Sequence, residues 1–362
     1  MITSGDLAVG TGDEAVIARR RLARMWRHPQ FDAPDPEKFN RLGLDLLDAG
    51  RDMPRAIDGP IIDCHSHLLA LSDAPAWFRA ADAYGIDHTI TMSPLEEAVG
   101  IVRSPWQDRV TLIAVPAWRP GGYDEDNWWP NVLGFRNLGS RVVKYHLAPQ
   151  TMQKSGLFLG GDRLRRYVNR TAELGMIIMS HIGDPDAWYD HPDRYGSDPT
   201  FWGTREEHYD AWEALLDQTR GHPWWGAHLG GWPENPERLR HLLSTYPDLM
   251  LDLSATKWMV REVSARRGEL RAFVIEFQDR LMWGSDQVSQ TLRSDAFYAS
   301  RWWCHRKLWE SDYDGPSLIA DPDAPNGEPV LRGLDLPEDV LTKLYRTNIT
   351  RLMARVGVSL PG

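Results

Sequence analysis

The chain has 362 residues, of which 42% are hydrophobic and 25% charged, and these are ordinary values for a globular protein with a large buried core. Its formal net charge of -10 would repel nucleic acid and anionic membrane surfaces, so neither is an expected partner. The first residues lack the basic start and apolar stretch of a signal peptide, no apolar run is long enough to cross a membrane, and only two cysteines occur, so we expect a cytoplasmic protein.

Residues 1–55 are predicted to form an N-terminal helical extension. Apolar residues such as Leu22 and Trp26 recur there at helical spacing, and a second apolar stretch follows a break that contains proline. From about Ile61 onward the pattern changes, because short apolar runs begin to alternate with longer amphipathic segments. We therefore expect residues 56–362 to form the main domain.

Eight short apolar or β-branched runs in the main domain have the character of strands. They are Ile61–His67, Ile86–Ser93, Val110–Pro116, Arg141–His146, Met176–His181, Trp225–Leu229, Leu249–Ser254 and Arg280–Asp286. The helices expected between them include Pro75–Tyr84, Gly161–Leu174, Arg205–Thr219, Pro236–Tyr246 and Arg261–Phe277. Eight alternating units predict an α/β fold of the (β/α)8 type, a TIM barrel. A doubly wound open sheet is the alternative, and it is less favoured because no glycine-rich phosphate loop follows the first run.

Three connections are longer than a minimal barrel requires, namely residues 118–138, 183–223 and 287–334. Each follows a strand, so each is expected over the C-terminal mouth of the barrel, where barrel active sites are built. Aromatic pairs occur in all three: Trp128-Trp129, Trp188-Tyr189, Phe201-Trp202 and Trp302-Trp303. We expect these long aromatic-rich loops to form a lid.

Polar residues of metal-binding type stand at or near the ends of five predicted strands. In the first strand, the two-residue period places Asp63, His65 and His67 on one face. The other candidates are Lys144 and His146 on the fourth strand, His181 on the fifth, His228 on the sixth and Asp286 on the eighth. Any one of these would be an ordinary strand-end polar group, but a closed barrel brings the whole set to one rim. The set predicts a functional site.

This order of residues is similar to that of the amidohydrolase superfamily. The sequences His-Leu-Gly-Gly at 228–231 and Trp-Gly-Ser-Asp at 283–286 resemble its amidohydrolase-related branch, which includes aminocarboxymuconate semialdehyde decarboxylase, γ-resorcylate decarboxylase and pyrone dicarboxylate lactonase. The segment 345–352 resembles the last helix of that branch. The branch often has an aromatic residue and a proline after its last aspartate, whereas this chain has Gln287-Val288-Ser289-Gln290.

The resemblance implies that His65, His67, His181 and Asp286 bind a divalent metal, with zinc expected first and manganese or iron as alternatives. It further implies that His228 is a general acid or base and that Asp286 is both a ligand and a proton acceptor. The metal would activate a water molecule and polarise a substrate oxygen.

Lys144 has two interpretations. In binuclear relatives the corresponding lysine is carboxylated and bridges two ions, so Lys144 would then be a metal ligand. If it is not carboxylated, Lys144 would be a cation beside the substrate, and a single ion is expected. We favour one ion, by analogy with the related branch. The candidate substrate contacts are His146, Arg119 and Trp118.

The predicted function is that of a metal-dependent hydrolase, which cleaves a C–N or C–O bond of a small organic substrate, such as an amide or lactone, through metal-activated water. The alternative is a metal-dependent nonoxidative decarboxylase, a lyase that acts on an aromatic or unsaturated carboxylic acid. A noncatalytic barrel that binds a ligand is a third and weaker possibility. The family often forms dimers, so a homodimer is possible.

Overall fold

A computed structural model describes residues 35–116, 125–290 and 293–361. The strands in these residues are β1 (Ile61–His67), β2 (Ile86–Met92), β3 (Val110–Ile113), β4 (Val142–His146), β5 (Ile177–His181), β6 (Trp224–Gly226), β7 (Leu249–Asp252), β8 (Leu281–Met282), β9 (Gln287–Val288), β10 (Asp314–Pro316) and β11 (Val330–Arg332). All eight strands of the predicted barrel are present, but several end earlier than predicted: the sixth ends at Gly226 instead of Leu229, and the eighth at Met282 instead of Asp286.

Helices follow most of the strands. They are α1 (Pro36–Phe39), α2 (Leu46–Arg51), α3 (Ala74–Ala83), α4 (Leu95–Ile101), α5 (Glu125–Asn137), α6 (Pro149–Ser155), α7 (Asp162–Glu173), α8 (Asp186–Asp190), α9 (Pro199–Trp202), α10 (Arg205–Gln218), α11 (Pro236–Thr245), α12 (Trp258–Ala265), α13 (Arg267–Glu276), α14 (Asp295–Glu310), α15 (Glu338–Thr342) and α16 (Asn348–Ala354), with a π-helical turn at Lys343–Thr347 between the last two. The single helix expected over residues 261–277 is two helices, because the chain leaves helical geometry at Arg266.

Strands β1 to β9 form two parallel sheets, in the orders β3-β2-β1-β9 and β4-β5-β6-β7-β8, and β10 and β11 form a separate antiparallel pair. A parallel bridge between Ala114 and Val143 joins the sheets on one side. On the other side, the Cys64 amide donates to the carbonyl of Trp283, 3.1 Å away, which joins β1 to the residue that follows β8. This is the strand order of a TIM barrel, although its hydrogen-bonded ladders do not form one closed ring.

The core has two main parts. The smaller part includes Ile62, Val142 and Ile177 from near the strand beginnings, together with Ile349 and Met353 of α16. The larger part packs helix side chains against other strand residues. Since apolar residues fill the ends where the strands begin, the polar rim is left at the carboxyl ends.

The expected aromatic lid is only partly present. Trp128 lies on α5 and Trp302 on α14, and both are buried in the larger core, because their indole rings pack against other aromatic side chains. By contrast, Tyr195 and Trp202 form a separate buried cluster, against which Trp188 packs. The lid interpretation was therefore wrong for the pairs at 128–129 and 302–303.

Helices α1 and α2 fall within the predicted N-terminal extension, and residues 1–34 lie outside the described part of the chain. The ring of Phe39 contacts that of Phe297 on α14, with centroids 5.5 Å apart. The hydroxyl of Tyr84 donates to the carbonyl of Leu46, 2.8 Å away. Among the described residues, no helix is both long enough and apolar enough to cross a membrane.

Candidate metal centre and its cavity

Three predicted ligands meet at the carboxyl ends of β1 and β8. Oδ1 of Asp286 lies 3.3 Å from Nε2 of His65 and 3.0 Å from Nε2 of His67. Metal bonds of about 2.0–2.1 Å in a tetrahedral site would separate ligand atoms by roughly 3.4 Å, so these donors fit a divalent ion with little movement. His65, His67 and Asp286 therefore form a group that could hold a metal.

The backbone fixes Asp286 against β1. Asp286 has a left-handed conformation, with φ of 54°. Its amide donates to the carbonyl of His65, 2.7 Å away. The register of β1 against β2 shifts between Asp63 and Ser66, which breaks the strict alternation expected from the sequence. Asp63 accordingly accepts hydrogen bonds from Ser285 and Trp302 and does not join the metal group.

Lys144 is buried beside this group. Its Nζ lies 3.5 Å from Nε2 of His65. Burial lowers the pKa of Lys144 to about 8, although the carboxylates of Asp252 and Asp286 oppose the shift. Lys144 therefore lies close enough to this group to act either as a carboxylated metal ligand or as a cation beside the substrate.

His228 follows β6 in a left-handed conformation and stacks on His65, with ring centroids 4.8 Å apart. Its Nε2 lies 4.0 Å from Oδ2 of Asp286. Its Nδ1 lies 2.7 Å from the hydroxyl oxygen of Ser254. Burial lowers the pKa of His228 well below its ordinary value, so the ring is neutral near pH 7.

A buried carboxylate that the sequence reasoning passed over organises these histidines. Asp252 ends β7 and accepts hydrogen bonds from the side chains of Trp225, at 2.7 Å, and His65, at 2.8 Å. It also accepts from the backbone amide of His228, at 2.9 Å, and from the amide and hydroxyl of Ser254. Burial alone would raise the pKa of Asp252, but His65 and these donors outweigh it and hold the pKa well below the ordinary range.

This network fixes the tautomer of His228. Since the Ser254 hydroxyl donates to Asp252, the oxygen of Ser254 accepts from Nδ1–H of His228, and the lone pair of His228 is on Nε2. His65, His228 and Asp252 also lie close enough together to form a metal group. Because hydrogen-bond donors of the protein already occupy the oxygens of Asp252, the group of His65, His67 and Asp286 is the better candidate for the metal site.

His181 does not join the metal group. Its Nε2 lies 3.0 Å from the carbonyl oxygen of Gly183 and 3.2 Å from Oδ1 of Asp184, so the short turn after β5 engages this nitrogen. The ring still meets His228 edge to face, with centroids 4.5 Å apart. His146 pairs in register with His181 at the end of β4.

The other two predicted substrate contacts, Trp118 and Arg119, lie outside the described residues.

A cavity of about 340 Å³ opens beside the metal group, and Asp286 and His181 form part of its wall. The wall also carries the aromatic side chains of Trp188, Trp258 and Phe297 and the cationic side chains of Lys257, Arg261, Arg293 and Arg301. Lys257, Arg293 and Arg301 were not predicted from the sequence. They come from loops and a helix that follow β7 and β8, and spacing along the sequence gives no signal that their side chains converge.

The model of the amidohydrolase family matches residues 25–354, which is most of the chain. The chain belongs to the amidohydrolase family. It is therefore an enzyme of the amidohydrolase superfamily, as the strand-end residues indicated. The narrower resemblance to the branch of aminocarboxymuconate semialdehyde decarboxylase stays a prediction.

Solved structures of amidohydrolase-superfamily members are similar to this chain. An amidohydrolase from Burkholderia multivorans with bound HEPES is 14% identical over 82% of this chain and 99% of its own, with a TM-score of 0.48. A second structure of an amidohydrolase from that organism, with bound zinc, gives the same values. The 4-oxalomesaconate hydratase of Rhodopseudomonas palustris is 12% identical over 82% of this chain and 96% of its own, with a TM-score of 0.45. No curated protein matches the sequence.

Proposed function

We propose that this amidohydrolase is a metal-dependent hydrolase that cleaves a C–N or C–O bond, such as that of an amide or lactone, in a small organic substrate. The observation that carries the proposal is the convergence of His65 and His67 on one oxygen of Asp286, at the wall of a cavity of about 340 Å³. Cavities of roughly 300–1,000 Å³ are typical of small-molecule sites.

His65, His67 and Asp286 would hold the ion, and their imidazole and carboxylate donors suit zinc first, with manganese or iron as alternatives. Such an ion, when bound, polarises a substrate oxygen and acidifies water. One ion is favoured, because protein donors occupy the oxygens of Asp252, the only carboxylate of the second His/Asp group found among the described residues.

The protein's own groups provide the proton transfer. His228 is neutral and has its lone pair on Nε2, so it is able to accept a proton at the substrate and return it to the leaving group. Oδ2 of Asp286, 4.0 Å from that nitrogen, is a second acceptor. Lys144 in its cationic form would stabilise negative charge that develops on a substrate oxygen.

Metal removal tests this function. The purified protein is assayed on a panel of lactones and amides before and after treatment with a chelator, and its metal content is measured by elemental analysis. Activity should disappear on chelation and return with zinc or manganese. Turnover by the fully stripped protein would contradict the proposal.

A matched pair of variants tests the ligand set. His67→Ala should lose stoichiometric metal, because it removes one donor of the group. His191→Ala removes an exposed histidine whose Nδ1 accepts only from the Asp193 amide in the described structure, so it should keep the metal. Equal metal content in the two variants would exclude His67 as a ligand.

Decarboxylation is the second candidate, since a cavity wall that contains Lys257 and Arg301 is suited to a carboxylic acid substrate. The two reactions are separated by their products. Hydrolysis in ¹⁸O-labelled water places the label in the product, whereas decarboxylation releases carbon dioxide without it.

A further inference from the structure

Four cations from two parts of the chain line the cavity, namely Lys257, Arg261, Arg293 and Arg301. Lys257 precedes α12, Arg293 precedes α14, and Arg301 lies on α14. The guanidinium carbons of Arg293 and Arg301 lie 4.2 Å and 3.4 Å from the centroid of the same ring, that of Phe297. This ring therefore positions both arginines at the cavity.

The carboxylates nearest to these cations are committed elsewhere. Asp321 pairs with Arg261, and Asp323 accepts from Arg194 at 3.0 Å. Among residues 35–116, 125–290 and 293–361, no carboxylate oxygen lies within 4 Å of Nζ of Lys257 or of the guanidinium of Arg301. Lys257 and Arg301 therefore have no carboxylate partner in the described part of the chain, although aspartates also line the cavity.

Hydrogen bonds to neutral groups also leave donors of Arg301 and Lys257 without a partner in the described residues. Nη1 of Arg301 donates to the hydroxyl of Ser300, at 2.7 Å, and to the carbonyl of Phe297, at 3.4 Å. Its Nη2 and Nε have no hydrogen-bond partner in the described part of the chain, and neither does Nζ of Lys257. Donors of this kind at a cavity wall are suited to bind an anionic oxygen pair.

The electrostatics agree with this arrangement. Burial, and next the like charge of Arg293, lower the pKa of Arg301 to about 9. Burial and the charge of Arg301 also lower the pKa of Lys257. Each cation is thus disfavoured by its neighbour, and a bound anion would relieve that repulsion.

We propose that the substrate is a small organic carboxylate, whose carboxylate group lies between Lys257 and Arg301 and whose apolar body packs beside Trp258. The ring of Trp258 lies 5.7 Å from that of His228, so a molecule held in this way places its reactive end at the metal group. The inference rests on the proposed function for the identity of the reaction, but the binding of the carboxylate is independent of it.

Calorimetric titration of the full chain tests the site, with benzoate as the probe and benzamide as its neutral counterpart. Benzoate should bind in a one-to-one ratio and more tightly than benzamide. Lys257→Gln and Arg301→Gln should each weaken benzoate binding roughly tenfold or more, since each removes a charged donor, and should leave benzamide unchanged. Lys307→Gln is the matched control, because it removes one cation from the same helix as Arg301.

Three outcomes would overturn the inference: no measurable binding of benzoate, equal weakening of benzoate and benzamide, or loss of benzoate binding on chelation with no effect of either variant. The last result would mean that the metal itself binds the carboxylate. If Arg301→Gln fails to fold, Lys257→Gln decides alone. If Lys257→Gln and Arg301→Gln weaken the binding of benzoate but no metal-dependent hydrolysis is found, the carboxylate site is supported and the proposed function is contradicted.

Discussion

Asp252 is the residue on which the geometry of the site depends most. Its two oxygens take five hydrogen bonds, from Trp225, His65, Ser254 and the backbone of His228. In this way one buried carboxylate orients a proposed metal ligand and the proposed proton acceptor together. Such supporting groups raise the basicity of ligating histidines and fix their ring orientation.

Asp252→Asn should lower zinc affinity roughly ten- to a hundredfold, as expected when a partner of a ligating histidine is lost. The asparagine side chain has one acceptor oxygen in place of two, and its NH2 group would face hydrogen-bond donors that now point at a carboxylate oxygen. The free energy of unfolding should therefore also fall by about 1–3 kcal/mol. Competition with a chromophoric chelator measures the affinity. Asp248→Asn is the control, because it removes only a partly exposed pair with Arg355 and should leave zinc binding intact. Unchanged zinc affinity in Asp252→Asn would contradict the role given to Asp252.

At the scale of elements, the contact between β1 and the segment after β8 brings the proposed metal ligands of the two segments together. The Ser285 amide donates to Asp63, at 2.9 Å, and the Asp286 amide donates to the carbonyl of His65, at 2.7 Å. Between β8 and these residues stands Gly284, where a Cβ atom would lie 2.6 Å from Cβ of His65 and 2.8 Å from its amide nitrogen. The close approach of the two segments therefore requires glycine.

Gly284→Ala should destabilise the protein by about 1–3 kcal/mol, because an added methyl group has to push β1 away. It should also weaken metal binding, since the displaced residue is His65. Gly268→Ala is the matched control: a Cβ there meets nothing within 4 Å in the first turn of α13, so stability should not fall. Thermal unfolding and zinc titration measure both effects. A Gly284→Ala protein as stable as the Gly268→Ala protein would show that the two segments tolerate separation.

The strands could be predicted from the sequence because each depends on a short local pattern of residues. β1 and the other strands consist of apolar, often β-branched runs bounded by turn residues, and this pattern survives any tertiary arrangement. Trp128 and Trp302 were misplaced because a tryptophan in a polar stretch has the same sequence signal whether it covers a cavity or packs inward. Their indoles pack inward here, on helices that belong to the larger core.

At the scale of the whole molecule, barrel topology accounts for the part of the site that was foreseen. His65, His67 and Asp286 meet because parallel strands end at one rim, and the order of strands is enough to predict this. The convergence of Lys257 and Arg301 depends on the paths of long connections, whereas Nε2 of His181 is engaged locally by Gly183, two residues further along the chain. Those paths are set by packing between distant segments, so no short pattern in the sequence contains them.

The stability of the whole molecule should depend on pH through Glu234, which follows β6. Burial raises its pKa from 4.5 to about 7, and the nearby carboxylates of Glu262 and Asp186 add to the shift. Because the folded protein binds this proton more tightly than the unfolded chain, the stabilising contribution is complete below about pH 4.5 and is lost as the pH rises to about 7.

Glu234→Gln is neutral at every pH, so it should raise the free energy of unfolding at pH 8 by an amount on the order of 1–3 kcal/mol and have a smaller effect at pH 5. Its oxygen still accepts from the amide of Asp186, which Oε1 of Glu234 meets at 2.9 Å. Glu269→Gln is the control, because it removes one exposed carboxylate on α13. Melting curves of the three proteins at pH 5 and pH 8 provide the test. If Glu234→Gln raised the melting temperature equally at both pH values, or more at pH 5, the raised pKa assigned to Glu234 would be contradicted.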